Sequence, residues 1–183
     1  MRDMRFNYET LVRISKAMSG SRDPEQIIHM AVQSTKEALG VKGCALFLID
    51  QRTDELEIAA SAGLSDDYLN KGPVSALKSI AESLREGPVA ISDVTDDPRI
   101  QYPEAAQSEG IASILSVPIM IGEKAIGAIR VYTAEQCEFS MDDVNFVQAL
   151  AQIAGTLLEM SRLYQGQKQY IEVLTTMQEA REM

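Results

Sequence analysis

The first forty residues repeat apolar positions with the period of an α-helix. Residues 5–18 predict one amphipathic helix, with an apolar face formed by Tyr8, Leu11, Val12, Ser15 and Met18. A second helix is predicted to begin at Asp23-Pro24, because aspartate accepts hydrogen bonds from first-turn amides and proline suits the first helical position. Gly40 is expected to end it. The chain therefore opens with two amphipathic helices.

From residue 43 onward the pattern changes to short apolar runs. Five strands are predicted, at residues 44–49, 55–61, 89–92, 111–121 and 124–133. The first run is continuously apolar, which is typical of a strand covered on both faces. Residues 74–84 return to helical spacing, and a short helix is expected at 104–108 within an irregular stretch. Pro118 indicates an edge position or a bulge in its strand.

The longest predicted element is a helix that begins after Ser140 and continues almost to the carboxyl end. Its apolar positions repeat with alternating spacings of four and three over about four heptads. This seam predicts a parallel homodimer with an interface formed by Phe146, Leu150, Ile153, Leu157, Met160, Tyr164, Ile171 and Leu174. A second apolar row accompanies only the first half of the helix. We therefore expect the first half to pack on the domain as well, and the second half to project as a coiled coil.

Six strings, in their order and spacing, resemble the GAF domain, a sensory and regulatory module. They are Gly43–Asp50, Gly87–Asp93, Asp97–Arg99, Ser113–Ile119, Ile126–Tyr132 and Phe139-Ser140. The resemblance implies an α+β, profilin-like fold with a central antiparallel sheet of five to six strands. The N- and C-terminal helices would cover one face, and short helices would enclose a small-molecule pocket on the other. Residues 1–160 would form the GAF domain and 161–183 a helical, coiled-coil extension.

Composition narrows the classes of partner. The 183 residues carry 17 Lys and Arg against 27 Asp and Glu, a net charge of −10, which disfavours nucleic acid and anionic membrane surfaces. The sequence shows neither a signal-peptide core nor a stretch of about 20 apolar residues, so a cytoplasmic protein is expected. One histidine and two cysteines are too few for a structural zinc site, which needs four ligands.

The residues that bind known cofactors in GAF domains have no counterpart in this sequence. Phytochrome-type members attach a bilin through a cysteine near the pocket, but no cysteine lies between residues 50 and 136. His29 comes too early to match a haem ligand, and Thr133-Ala134 and Val144 depart from the cyclic-nucleotide motif. The acidic run at residues 93–97 is interpreted as turn caps. No cofactor and no metal are therefore expected.

Arg130 is the candidate centre of a binding site, because it stands in an otherwise apolar strand and a buried charge needs a partner. Two interpretations stay open: the guanidinium reaches the sheet edge and pairs with a surface carboxylate, or it anchors an anionic ligand. Strand alternation places Ile126, Ala128, Arg130 and Tyr132 on one face. The candidate ligand-binding residues are Asp93, Arg99, Ser113, Arg130 and Tyr132.

Two function classes follow. The chain lacks a nucleophile elbow, a glycine-rich phosphate loop and a cluster of thiols, so catalysis is not expected. The first class is a module that senses a small molecule and transmits through a dimeric C-terminal helix. The alternative is a structural dimerisation module with a vestigial pocket. The resemblance implies an output domain or a partner such as a kinase, a cyclase or a transcription regulator.

Overall fold

The computed structural model describes residues 8–21, 23–50, 52–53, 55–72, 74–75 and 87–182, and the structural statements below concern these residues. Five helices occur among them: α1 Tyr8–Ser19, α2 Pro24–Leu39, α3 Asp66–Leu69, α4 Pro103–Ser108 and α5 Met141–Glu182. Most of the helix predicted at residues 74–84 lies outside the described residues. Its first two positions form a short strand instead.

Six strands form one antiparallel sheet: β1 Gly43–Asp50, β2 Glu55–Ala62, β3 Val74–Ser75, β4 Val89–Ile91, β5 Ser113–Ile121 and β6 Lys124–Thr133. Their spatial order is β3-β2-β1-β6-β5-β4. The two long hairpins, β1–β2 and β5–β6, meet at the β1–β6 pairing in the centre. The α+β fold class and the antiparallel sheet predicted from the sequence are confirmed.

The predicted helix caps account for the ends of α2. Asp23 Oδ1 accepts a hydrogen bond from the Glu25 N–H at 3.0 Å, and Gly40 ends the helix in the left-handed conformation with φ 58°. In α1 the predicted apolar face is wrong at Val12, which is 65% exposed, whereas Ile14 and Met18 are buried. The helix packs on α2 and α5 through Ile14, so the buried stripe is rotated relative to the predicted one.

Two apolar clusters lie on opposite faces of the sheet. The helix face, under α1, α2 and α5, includes Leu46, Leu115, Val117, Ile129 and Val131. The pocket face, under α3, α4 and the loop 92–102, includes Ala45, Phe47, Ile114 and Tyr132. Since neighbouring residues of a strand point to opposite faces, each long strand supplies both clusters, as expected for strands covered on both sides.

A bulge in the β5–β6 hairpin corrects one predicted face. The register shifts between Ile119 and Met120, so Ile126 packs with the helix-face cluster and not beside Ala128 and Arg130. Pro118 lies next to this bulge and beyond the end of β4, where β5 is an edge strand on that side. The prediction for Pro118 is therefore consistent with the structure.

The long helix α5 begins with a reciprocal cap and then crosses the helix face. Ser140 Oγ accepts from the Asp143 N–H at 3.2 Å, while Asp143 Oδ2 accepts from the Ser140 N–H at 2.8 Å. Gly155 permits close approach to β5, because a Cβ there would lie 2.9 Å from Ile119 Cγ2 and from the Met120 carbonyl oxygen. No helix in the described ranges combines the length and apolar character needed to cross a membrane.

Two predicted dimer-interface residues of α5 lie in the interior of the single chain. Phe146 and Leu150 are 3% and 0% exposed and pack in the helix-face cluster, so neither is available to a partner. The seam becomes accessible farther along, where Met160 and Tyr164 are 60% and 48% exposed. The side chains of Ile171 and Leu174 lie outside the described residues.

Candidate ligand-binding site on the pocket face

Arg130 extends from the centre of β6 into the pocket face. It is directly paired with Ala45 of β1 on one side and Ser116 of β5 on the other. The residue is only 5% exposed, and its Nε and Nη2 find no hydrogen-bond acceptor in the part of the chain that the structure describes. The guanidinium carbon lies 4.8 Å from the centroid of the Phe47 ring. The charge is therefore buried against an aromatic face, and no carboxylate among the described residues forms an ion pair with it.

Helix α3 and the residues after it bring a second cation and a second phenol to the same place. The rings of Tyr68 and Tyr132 meet edge to face, with centroids 5.8 Å apart and an interplanar angle of 83°. Lys71 Nζ lies 3.8 Å from the centroid of the Tyr68 ring and donates to the Tyr68 carbonyl at 3.0 Å. Two cationic side chains and two aromatic rings thus converge on this face.

Three of these groups, Tyr68, Lys71 and Arg130, line a small cavity, whereas Tyr132 is not among its lining residues. Its walls are formed by Tyr68, Lys71, Val74, Ile100, Gln101, Tyr102, Ile114 and Arg130. The space available is about 20 Å³, which corresponds to little more than one water molecule. The lining combines an apolar floor with a few convergent polar groups, the usual character of a small-ligand site.

Burial governs the protonation of the site. Desolvation raises the pKa of the Tyr68 hydroxyl to about 12, although the nearby Arg130 charge opposes this shift. Desolvation also raises the pKa of Tyr132 well above its usual value. For Lys71, desolvation and then the Arg130 charge lower the pKa to about 8. The phenols are therefore neutral donors at pH 7, and the two cations share a site that favours a negative charge between them.

A tether fixes α3 over the cavity. Ser65 caps α3 by accepting from the Tyr68 N–H at 3.2 Å, and the Ser65 hydroxyl also donates to Glu109. The backbone N–H of Ser65 donates to the other oxygen of Glu109 at 3.1 Å, and Lys42 Nζ lies 3.6 Å from that oxygen. Glu109 follows α4, so this one carboxylate connects α3, α4 and the start of β1.

Three of the five predicted site residues lie elsewhere. Ser113 donates to the Ser92 carbonyl at 2.7 Å and accepts from the Cys137 N–H at 2.8 Å, so it fixes loops at the start of β5. Ser116 pairs with Arg130 and shares its face of the sheet. Ser113 lies three residues earlier in the same strand, so its side chain points to the opposite face. Neither Ser113, Asp93 nor Arg99 lines the cavity.

Asp93 and Arg99 form hydrogen bonds that fix the irregular loop after β4. Asp93 Oδ1 accepts from the Thr95 hydroxyl at 2.6 Å, and this hydrogen bond leads the lowering of the Asp93 carboxyl pKa. Arg99 donates from Nη2 to Asp97 at 2.6 Å and from the same nitrogen to the Ala90 carbonyl at 3.5 Å. The Asp93–Thr95 hydrogen bond caps a turn within the loop, as is expected of an aspartate there, whereas the Arg99 contact with Ala90 holds the loop against β4.

The sequence interpretation missed Phe47, Tyr68, Lys71 and Ser116. Hairpin pairing of β5 with β6 would have indicated Ser116, because it is the polar residue directly opposite Arg130. The alternation in β1 would likewise have placed Phe47 on the same face. Tyr68 and Lys71 carry no such signal, since they belong to a four-residue helix and a loop without periodicity.

Neither cysteine belongs to the site. Cys44 is buried in the helix-face cluster, where desolvation raises the pKa of its thiol far above the usual value. Cys137 lies in the loop before α5 and donates its backbone N–H to Ser113. Over the described ranges, no group of three or more histidine, cysteine or acidic residues is placed to hold a metal ion.

Comparison with known proteins identifies the domain type. The family model described as a GAF domain matches residues 21–159. Among solved structures, the GAF domain of a phosphoenolpyruvate-protein phosphotransferase from Coxiella burnetii is similar at 22% identity and a TM-score of 0.77, covering 86% of this chain and 95% of that one. No curated protein sequence matches the chain.

Two further structures show which kinds of protein share this fold. The free methionine-R-sulfoxide reductase from Neisseria meningitidis, solved with its substrate, is similar at 21% identity and a TM-score of 0.76, over 90% of this chain and 95% of that one. A domain of a protein described as a two-component sensor histidine kinase from Sinorhizobium meliloti 1021 is similar at 19% identity and a TM-score of 0.71, over 81% and 99%. At these identities the similarity shows the fold alone.

Proposed function

The chain belongs to the GAF domain family, whose members commonly serve as sensory modules of signalling proteins, and from this premise we propose that it senses a small molecule without catalysing a reaction. The site would be the cavity on the pocket face. A single observation carries the proposal: Arg130 is 5% exposed, lines the cavity, and has two guanidinium nitrogens without an acceptor in the described residues.

Two nitrogens of the Arg130 guanidinium are buried without an acceptor among the described residues, and this lowers stability. The stacking on Phe47 and the hydrogen bond to Tyr132 offset only part of the loss. The domain therefore carries a destabilising group at a cavity of its pocket face. A ligand that pairs with Arg130 would relieve this penalty, and its binding free energy would stabilise the ordered pocket face.

The absence of suitable thiols supports a non-catalytic role. Reduction of a sulfoxide, the activity named for the Neisseria relative, requires a thiol that reaches the substrate. Cys44 faces the helix side of the sheet and Cys137 lies outside the cavity lining. The phenols of Tyr68 and Tyr132 stay protonated at pH 7 because burial raises both pKa values, so neither supplies an activated nucleophile.

Transmission would run through the sheet to α5. Strands β5 and β6 contribute Ser116 and Arg130 to the pocket face, and the residues next to them, Leu115 and Val117, pack under α5. A ligand that shifts these strands would also shift the packing of α5. Because Gly155 lies against β5, the helix has little space to absorb such a shift locally.

The output end of α5 is proposed to pair with its twin in a parallel homodimer. The supporting surface consists of Met160, Leu163 and Tyr164, which are 60%, 55% and 48% exposed, in line with the half-buried Ile153 and Leu157. Exposed large apolar side chains in one stripe mark an interaction surface. This dimer would present the helix pair to an output domain or to a partner such as a kinase, a cyclase or a transcription regulator.

A structural dimerisation module with a vestigial pocket is the second candidate. It is favoured by the small size of the cavity, about 20 Å³, which leaves no room for a nucleotide or a bilin. In that case α5 would still form the dimer, but the pocket side chains would have no ligand to bind.

Native mass spectrometry of freshly purified protein separates the two candidates, together with a thermal-shift screen of metabolites and common anions. A sensor is expected to show a compound that raises the melting temperature of the wild type and of Arg52→Ala, a matched arginine variant whose side chain is 88% exposed. The same compound should have no effect on Arg130→Ala. If every compound leaves wild type and Arg130→Ala unchanged, the vestigial-pocket candidate is correct.

Light scattering tests the dimer separately. Leu163→Glu with Tyr164→Glu should give a monomer, because both changes place charge in the exposed apolar stripe. Arg162→Glu is the matched control on the same turn, since Arg162 is 73% exposed and contacts Glu159 rather than an apolar neighbour. A wild-type monomer at tens of micromolar, or a double variant that remains dimeric, would contradict the proposed interface.

A further inference from the structure

The unpartnered edge of Arg130 has a geometry that selects one class of ligand. Nε and Nη2 lie on the same side of the planar guanidinium, so their N–H groups form a fork with two parallel donors. Such a fork matches two oxygen atoms held on one carbon, nitrogen or phosphorus, as in a carboxylate or an oxyanion. Both nitrogens are buried and lack an acceptor among the described residues, so neither donor of the fork is used, and a ligand reaches them by displacing the side chains that cover them.

The positive charges around the Nε–Nη2 fork also favour an anion as the ligand. Lys71 and Arg130 line one cavity, and each lacks a salt-bridge partner among the described residues. Among the described residues, the carboxylate that influences Lys71 is Glu109, which is already held by Ser65 and Lys42. A bound anion would therefore meet two cations, and no carboxylate of the described residues would compete with it for Arg130 or Lys71.

The size of the cavity sets an upper limit on the ligand. A space of about 20 Å³ admits one water or, after small side-chain adjustments, a planar anion of three or four heavy atoms. Tyr68, which packs edge to face on Tyr132, closes one side of the cavity and stays protonated at pH 7. A nucleotide, a sugar phosphate or an aromatic acid would need α3 to leave its tether on Glu109.

We propose that this site binds a small planar monoanion of the formate, bicarbonate or nitrate type, which presents two oxygens of one central atom to the Nε–Nη2 fork of Arg130, with Lys71 as the second cation. This inference rests on the proposed sensor function and names its ligand class. All the candidate ligands are planar anions with a delocalised charge, whether the source is a one-carbon acid or an inorganic ion.

Isothermal titration calorimetry of the full chain tests the inference with potassium formate, bicarbonate and nitrate as separate probes. Ionic strength is kept constant with gluconate, whose size excludes it from the cavity. At least one probe should bind saturably with a Kd of about 1 mM or tighter. Comparison of the formate arm with the nitrate and bicarbonate arms distinguishes an organic from an inorganic source.

Two variants separate the contribution of the paired N–H donors of Arg130 from that of its positive charge. Arg130→Lys keeps the cation but loses the paired donors, and Arg130→Met loses both. Since a hydrogen bond to a charged group contributes about 1.5–3 kcal/mol, loss of one such bond weakens binding about 10- to 100-fold. We therefore expect the Kd to rise at least tenfold in Arg130→Lys and binding to vanish in Arg130→Met. Arg52→Met, at an exposed position, should bind as the wild type does.

These binding measurements distinguish a failure of the small-anion proposal from a failure of the proposed sensor function. If the small anions fail to bind while a larger or neutral metabolite stabilises the wild type through Arg130, the inference is overturned and the sensor function stands. Non-saturable heats, or equal binding by wild type and Arg130→Met, would also overturn the inference. If neither small anions nor larger compounds stabilise the wild type, both are overturned.

Discussion

The helix face and the pocket face of the same sheet differ in the chemistry that they bury. On the helix face almost every buried side chain is apolar, and a buried hydroxyl such as that of Thr35 donates to the Ala31 carbonyl at 2.7 Å. The pocket face buries a guanidinium with two unpartnered nitrogens next to a partly buried ammonium. The difference indicates that one face maintains the fold, whereas the other keeps polar groups in an unfavourable state that a ligand would relieve.

The two faces are coupled mechanically because the same strands form both of them. Both faces are built from alternate residues of the same strands, so a change in the position of Ser116 also moves Leu115 and Val117. A helix packed on one face is therefore coupled to a pocket on the other through one layer of backbone.

Removal of side-chain volume from the helix face should destabilise the domain most. Leu150 is fully buried in that cluster, so Leu150→Ala is expected to lower the free energy of unfolding by about 2–5 kcal/mol. Val12→Ala, at a position that is 65% exposed in the same layer, should change it by less than about 0.5 kcal/mol. Urea denaturation measures both. Similar values for the two variants would show that α5 does not pack in the core as described.

The two glycines of α5 should respond with opposite signs. Gly155→Ala places a Cβ 2.9 Å from the Met120 carbonyl oxygen, and we expect a destabilisation of about 1–3 kcal/mol. A Cβ at Gly166 meets no atom within 4 Å, so Gly166→Ala should stabilise the helix by about 0.5–1 kcal/mol. Thermal unfolding of both variants is the measurement. Stabilisation by Gly155→Ala would contradict the close packing of α5 on β5.

The pocket face should show a smaller, pH-dependent effect through Lys71. Burial and the Arg130 charge lower its pKa from 10.5 to about 8, so between these values the folded chain has lost a proton that the unfolded chain still holds. The contribution of Lys71 to the free energy of unfolding should therefore rise with pH over this window, whereas Cys44, Tyr68 and Tyr132, whose pKa values burial raises, contribute in the opposite direction. Among the described residues, the charged or titratable groups near Lys71 are Arg130 from β6, Tyr68 from α3 and Glu109 after α4, and Tyr102 lines the same cavity.

Lys71→Met is the control for this pH dependence. The variant should lose this contribution of Lys71 between about pH 8 and 10.5, while the remaining pH dependence is unchanged. Urea denaturation at several pH values compares the two proteins. Identical profiles for wild type and Lys71→Met would show that Lys71 is solvated and does not belong to the buried pair of cations.

The sequence predicted the sheet and its main helices because their signals are local. The cap at Asp23, the end at Gly40 and the apolar runs of the two hairpins each act over a few residues. Helix α3 was missed, since four residues carry no helical period. The heptad seam also left one point open, because a repeat of apolar residues does not reveal whether Phe146 and Leu150 pack on their own domain or on a partner.

The candidate site was predicted only in part. Arg130 was recognisable as the lone charge in an apolar strand, and Tyr132 lies on the same face of β6. Their neighbours Tyr68 and Lys71 come from a segment about sixty residues earlier, which only the tertiary fold brings close. The polar residues of the loop after β4 were assigned to the ligand, but Asp93 and Arg99 hydrogen-bond within the loop instead.

The stability of Arg130→Met measures whether Arg130 is a buried charge kept for a ligand. Because two guanidinium nitrogens are buried without acceptors among the described residues, an apolar side chain of similar length should raise the free energy of unfolding of the ligand-free protein by about 1–4 kcal/mol, even though the hydrogen bond to Tyr132 is lost. Urea denaturation of dialysed wild type and Arg130→Met measures the difference. A gain in stability is the predicted result. A loss of several kcal/mol would contradict the account, since it would mean that the guanidinium already has partners that hold the fold together.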